Sequence, residues 1–517
     1  MLQFIRACMG SIASMFSDQG FDAIKRAAEK GNTDAQFSLG VLYAEGQGVE
    51  QNDTDAVKWF RTAADQGHPD ALCNLGTMYA EGRGVTKSDR EAVKWYRMAT
   101  EKGHANAQYN LGTMYAEGRG LVRDYAEAEK WYRLALEQGN AGAQFGLGEM
   151  YFLGHGVVQN FAEAEKLFKK AAEQGYPNAQ FSLGIMHATG KGVAQSDAEA
   201  EKWFYLAAEK GHADAQLNLG RVHAEGRGVT KNDVEAVKWY RLSAKQGNAY
   251  AQYFLGVMYD EGRGIDKNYK EAEKWYRTAA EQGIAEAQFN LGAMYAEGYG
   301  ITRNYAEALK WYRLAAEQGY SDAQFNLGRM YAKGLGVDKN DAEAAKWYRL
   351  SAAQGDVYAQ VILGAMYAKG RGVARNDVEA VRWYHSAAKQ GYAEAQHILG
   401  QMYVEGRGVT KNYAAALKLY NMAAKQGYVG AQYSIGLMHA EGWGVEKNEK
   451  EAMRLYRLAA EQGYAEAQYN LGVMYFFGQG VERDDAEAER WYRMAAEQGN
   501  TKAQHGLEDM KKRHSKS

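Results

Sequence analysis

The chain has few of the residues that staple small folds or break helices. Its 517 residues include two cysteines, Cys8 and Cys73, and two prolines. Two cysteines make neither a disulfide framework nor a cysteine zinc site. An excess of one charge is also missing. Lys and Arg number 62 against 64 Asp and Glu, a net charge of −2, so nothing global draws the protein to nucleic acid or an anionic membrane. No run of apolar residues is long enough for a transmembrane helix. Metalloprotease, P-loop and nucleophile-elbow motifs are absent. The recurring Gly-x-Gly (Gly46-Gln47-Gly48, Gly82-Arg83-Gly84) lacks a third glycine and follows a helix, so it reads as a turn. Histidines are scattered, three at His187, His223 and His439 and three at His68, His104 and His212, without ligand spacing. No enzyme, metal or cofactor is expected.

What the chain has in excess is glycine, 59 residues. Gly31, Gly67, Gly103 and their successors to Gly499 stand 36 apart, through 13 periods without insertion or deletion. Such a chain is one repeat array and not a string of globular domains. Apolar residues are 46% and charged residues 24%, an ordinary core-forming composition.

Residues 285–319 serve as a sample. The spacing predicts a first helix, A, over Ala285–Glu297, with Ala287, Leu291 and Met294 on one face. A second helix, B, follows over Tyr305–Gln318, with Ala308, Trp311, Tyr312 and Ala315. The Asn304 position is Asn, Asp or Ser in all 13 copies. An acid follows three residues later in 12 of 13, Ala415 being the exception. That is the pattern of a capping box. Gly319 sits where a left-handed residue ends the helix. Gly292 recurs mid-helix from Gly40 to Gly472. Each such glycine costs roughly 1 kcal/mol against alanine. The expected compensation is close packing of Trp311-class rings and Ala308-class methyls on bare backbone. The Trp311 position is Trp in ten copies and Leu in three, Leu167, Leu419 and Leu455; the helical stripe assigns these side chains to the core.

The motif AEAQFNLGAMYAEGYGITRNYAEALKWYRLAAEQG resembles the Sel1-like repeat family, relatives of the tetratricopeptide repeat, and the likeness covers about residues 35–499. It implies an all-α fold, a right-handed superhelical α-solenoid of antiparallel helix pairs with helix A lining the concave side. It also implies an adaptor that holds protein partners, commonly in bacteria. Some relatives carry a cysteine pair per repeat; this chain does not.

Candidate binding residues are those that vary between copies yet share a face of helix A. That face runs through the Glu286, Asn290, Ala293 and Glu297 positions, which match the groove positions of tetratricopeptide proteins. Asn occupies the second place at Asn74, Asn110, Asn218, Asn290, Asn326 and Asn470. An amide pairs with an extended backbone without reading its side chains. The same place is apolar at Phe254, Ile362 and Ile398, and the flanking places add Tyr250, Tyr358, Val257 and Leu437. These form two expected clusters, Tyr250 to Val257 and Tyr358 to Ile398, suited to anchor a partner. Arg221, Arg329 and Gln401 occupy the third place; the arginines suit a carboxylate. Acids of the Glu286 class suit the helix N-terminus. Glutamates of the Glu297 class sit at the wrong end of the dipole. They need a partner, either the Arg83 class or the Lys310 class; left unpaired, they make the groove acidic. The fourth copy departs from the pattern with Gly142, Gly146, Phe152, Leu153, His155 and Leu167. A bend and a ligand site are both open there.

The expected organisation is an N-terminal cap over 1–31, thirteen repeats over 32–499 and a C-terminal half-repeat with a basic tail over 500–517. Ile5, Met9, Ile12 and Phe16 form one helical face, read as cap; a poor signal peptide is the alternative. The chain is thus expected to be a cytoplasmic scaffold that binds a peptide or partner protein, with neither nucleic acid nor an integral membrane segment. Two alternatives remain: an exported protein that binds cell-wall glycan, peptidoglycan or host surface components, and a hydrolase.

Overall fold

The computed structural model describes residues 18–514. The expected Ile5-to-Phe16 face lies outside them. Among the described residues there are 28 helices and no strand. The chain divides into two compact units, with the boundary in sequence between Lys267 and Asn268. The first holds a helix over Asp18–Glu29, six helix pairs and the A helix Ala249–Glu261. The second begins with the B helix Tyr269–Glu281, holds six pairs and ends with the helix Thr501–His514. Each pair is an A helix and a B helix of 13 residues, as in Ala285–Glu297 and Tyr305–Glu317. Within each unit, every helix packs on its neighbours in sequence.

The caps explain these bounds. In all 13 B helices the Asn304-class side chain accepts the backbone N–H three residues on. The reciprocal arm of the box is not made. Asn304 donates its own N–H to the Tyr295 carbonyl of helix A at 2.8 Å. The acid instead meets a lysine one turn on, as Glu127 meets Lys130 at 3.2 Å. Helix A ends on Gly298 and helix B on Gly319, both left-handed. A glycine tolerates that conformation at no steric cost.

The mid-helix glycine is explained by a ring, but not the one expected. A Cβ on Gly292 would stand 2.8 Å from the Tyr312 ring. Its equivalents meet the matching Tyr or Phe at 2.5 to 3.1 Å. The tryptophan, one residue earlier, points 100° away around the helix. It packs toward the preceding repeat, as Trp239 does in the cluster of Phe204, Ala207 and Ala208. Each Trp is half-buried or buried and carries the preceding Lys or Arg over its ring, such as Lys310 at 5.2 Å from the Trp311 centroid.

Buried glutamines tie three helices together. Gln324 donates to the Ala316 carbonyl of the preceding B helix at 3.1 Å. Its oxygen accepts from Gln354, at the end of its own B helix, at 2.8 Å. Gln216, Gln360, Gln396 and Gln468 make the same relay. The second repeat has Leu72 and Lys102 at these two places, so both halves are missing together. The fifth repeat keeps Gln180 but has Lys210, and the Gln180 carbonyl oxygen is buried without a partner.

A second joint lies at the Gly-x-Gly turn. A side chain on Gly84 would run into the backbone of Asp53, one repeat back. Arg83, between the glycines, reaches the Asp53 carboxylate at 2.7 Å. Asp89–Arg119, Asp233–Arg263, Asp341–Arg371 and Asp377–Arg407 repeat the pair at 2.7 to 2.9 Å. Where the acid is replaced by tyrosine, the arginine is replaced too: Tyr125 stacks on His155, Tyr269 on Tyr299 and Tyr413 on Trp443, while Tyr305 has Leu335 at the matching place.

Two stability predictions follow from these contacts. Gly292→Ala gains helix propensity yet overpacks against Tyr312, so it should lose about 1–3 kcal/mol in urea denaturation; a gain in stability would refute the ring as the cause. Lys210→Gln restores the missing donor to Gln180 and should stabilise by about 1 kcal/mol, read as a rise in melting temperature.

Candidate functional site

All sixteen candidate partner-binding residues lie on A helices, and none is fully buried. In the first unit they are Asn74, Asn110, Asn218, Arg221, Tyr250, Phe254 and Val257. In the second they are Asn290, Asn326, Arg329, Tyr358, Ile362, Ile398, Gln401, Leu437 and Asn470. Helical spacing places them there because the Ala287, Leu291 and Met294 rows take the core face.

The face is not a row of free amides. Asn218 and Asn326 turn back on their own helices, donating to the Asp214 and Asp322 carbonyls at 2.8 and 2.9 Å. Asn110 and Asn470 reach the neighbouring A helix, toward Cys73 Sγ at 3.9 Å and the Tyr433 hydroxyl at 3.2 Å. The second place therefore partly spaces adjacent repeats. The apolar residues divide in the same way. Phe254 stacks one face on Tyr240 at 5.3 Å. Ile362 and Ile398 pack along the edges of core clusters. Tyr250 and Tyr358 stand out at 51% and 58% exposure, which makes them the open parts of their clusters.

The expected arginine clamps are engaged within the chain. Arg221 pairs with Glu225 at 3.7 Å and Arg329 with Glu297 at 3.9 Å. The glutamates that end the A helices find the Arg83 class, as Glu117–Arg119, Glu261–Arg263 and Glu405–Arg407 show at 3.3 to 3.4 Å. The Lys310 class meets the first-turn acids of helix B instead.

The turn histidines are helix caps. Nδ1 of His68, His104 and His212 accepts the backbone N–H at the third position of the A helix, at 3.1 to 3.3 Å. His104 also meets Asp70 at 2.9 Å, and that hydrogen bond holds the Asp70 carboxyl below its usual range. Among the described residues, no group of three His, Cys, Asp or Glu is placed to hold a metal ion.

The sequence reading missed two features. One is a stripe on the outer face of the B helices. Met98, Leu134, Leu206 and Leu242 in the first unit are 36–40% exposed, and Leu314, Leu350, Met422, Leu458 and Met494 in the second are 36–43% exposed. Their 36-residue spacing was the available signal. The other is His397, the one histidine at this place among the thirteen full repeats. It is buried against Tyr420 and Tyr428 and meets Ser434 at 3.0 Å. Burial pushes its pKa down to about 4.

Its pKa is lower folded than unfolded, so the unfolded chain binds the proton more readily. Its contribution to stability should be intact above about pH 6.5 and fall as pH drops toward about 4, by up to about 3 kcal/mol. His397→Tyr, which carries the residue of Tyr433 and Tyr469, should remove that part of the pH dependence in denaturant titrations; an unchanged slope would refute it.

Comparison with known proteins agrees with this architecture. The Sel1 repeat model matches thirteen consecutive segments, from 33–68 to 465–500. Among solved structures, a protective antigen of uropathogenic Escherichia coli with the same repeat fold is 33% identical, over 94% of this chain and 97% of that one, with a TM-score of 0.66. A Sel1 repeat protein of Oxalobacter formigenes is 34% identical, over 60% of this chain and 90% of that one, with a TM-score of 0.48. No curated protein matches. With repeats that fill the array and paired helices throughout, the chain belongs to the Sel1 repeat family.

Proposed function

We propose that the protein is a non-enzymatic scaffold whose A-helix face holds an extended segment of a partner protein. The observation that carries this reading is the contrast between places within each repeat. The Ala287, Leu291, Gly292 and Met294 places are held by packing. The Glu286, Asn290 and Ala293 places change chemistry from repeat to repeat while staying at least partly open in most copies. A row of differing side chains, one set per repeat, is what a solenoid offers a linear ligand. Sel1 repeat proteins generally act as protein-interaction scaffolds, which supports the same reading. Tyr250 with Phe254 and Tyr358 with Ile362 and Ile398 supply apolar anchors, each inside one unit.

Among the described residues, no helix is long and apolar enough to cross a membrane. The likeness to a protective antigen favours a second reading, a binding partner met outside the cell. Mass spectrometry of the natural protein's N-terminal residue separates the two: an intact Met1 supports the cytoplasmic adaptor, and a processed end the exported one.

The binding face is tested by substitutions the array already tolerates. Phe254→Asn with Ile362→Asn copies the residue of six other repeats. It should lose the partner in a pull-down from the native source, with helical circular dichroism unchanged. Leu314→Thr with Leu350→Ser copies Thr278 and Ser386 on the B-helix stripe and should retain the partner. The opposite outcome would move the site to the B helices.

A further inference from the structure

The fourth repeat carries glycine at two variable places of its A helix, Ala141–Leu153. Both gaps are filled by rings from the preceding repeat. A Cβ on Gly142 would stand 3.0 Å from the Tyr109 ring, and one on Gly146 would stand 2.8 Å from Tyr132. The Tyr109 hydroxyl meets Tyr176 at 3.3 Å, and the Tyr132 hydroxyl meets Thr113 at 3.2 Å. The glycines thus draw the A helices of repeats three and four together, closer than most neighbouring A helices.

Beside this approach, toward the C-terminal ends of the two helices, opens a pocket of about 370 Å³. Tyr132 lies in its wall, Tyr125 and His155 stack at 5.1 Å along one side, and Glu117 and Glu149 supply carboxylates. The charges are unevenly satisfied. Glu117 meets Arg119 at 3.4 Å, although Arg119 is also bound to Asp89 at 2.7 Å. Arg123, at the rim, donates to the Glu117 backbone carbonyl at 3.4 Å. No described cation lies within ion-pair distance of Glu149. Glu149 is exposed at the mouth, with the surrounding walls taking part of its water. That desolvation, then the charge of Glu117, pushes its pKa up to about 7.

A carboxylate without a counter-ion, beside aromatic rings and the apolar Met150 and Leu153, matches a long side chain with a cationic end. We propose that this pocket seats a lysine or arginine side chain, with Glu149 as its counter-ion. As a subsite of the segment held along the A helices, it rests on the function proposed above. The cation favours ionised Glu149, so binding is tighter above about pH 7 and weakens as Glu149 takes up a proton. Of the other ionisable groups around it, Glu117 acts in the same direction as Glu149. The charge of Arg123 opposes the cation; His155, Tyr125 and Tyr132 also line the pocket, and burial pushes the Tyr132 hydroxyl pKa up.

Met150 lines the pocket, so its methyl group reports occupancy. The full chain, labelled with 13C at the methionine methyls, is titrated with N-acetyl-lysine amide, N-acetyl-arginine amide and the uncharged N-acetyl-norleucine amide. The two cationic amides should shift Met150 saturably, and the norleucine amide should not. Glu149→Gln should weaken both by about tenfold or more and flatten the pH dependence. Glu149→Thr, the residue of Thr77 and Thr113, should do the same in a fold the array already tolerates. A silent Met150, an equal response to norleucine, or unchanged affinity in both variants would overturn the proposal. If the pocket takes the amides while the Phe254/Ile362 variant keeps its partner, the A-face reading fails and the pocket stands. The reverse result removes the pocket alone.

Discussion

The rest of the array depends on the contact between a bare helix backbone and a ring. Gly292 and its equivalents let the Tyr312-class ring lie against the A-helix backbone. That contact sets how closely A and B helices approach within a repeat. A methyl group there would separate them, and the same displacement would recur at each period. The cost of mid-helix glycine is therefore offset by packing, which is where most helical stability in proteins arises.

With the pair spacing set by glycine and ring, the joints between repeats are made by polar groups. The glutamine relay satisfies a carbonyl on one B helix and an amide on the next through a single buried side chain. Its value lies less in net energy than in the penalty for leaving a member unpaired. The turn joint is an ion pair in Asp53–Arg83 and its like, and a ring stack at Tyr125, Tyr269 and Tyr413. These contacts use places that vary little or change largely in pairs, with Lys210 opposite Gln180 as an exception. The A-helix face and the exposed B-helix stripe vary more freely from repeat to repeat.

Much of the fold was legible because each rule is tested thirteen times in one chain. Helix bounds, caps and left-handed glycines recur at one spacing, so chance agreement is removed without any other sequence. The reading went astray at a difference of one residue. Trp311 and Tyr312 both belong to the buried stripe, and periodicity does not say which ring faces the partner helix and which the neighbouring repeat. The face of the candidate site was legible for the same periodic reason. What each side chain does on it was not: Asn218 bonds its own helix, while Asn470 bonds the next.

The sequence by itself determined the number of repeats, the bounds of the helices and the caps that end them. These depend on hydrogen bonds between residues about four apart, and local chemistry decides them. The tertiary structure decided the contacts between residues 30 and 37 apart: Arg83 on Asp53, Gln354 on Gln324, Asn470 on Tyr433. It also decided that the glycines of the fourth repeat are filled by Tyr109 and Tyr132, beside a pocket that leaves Glu149 without a counter-ion. Such contacts depend on the distance and angle between packed helices, and a one-dimensional period carries neither.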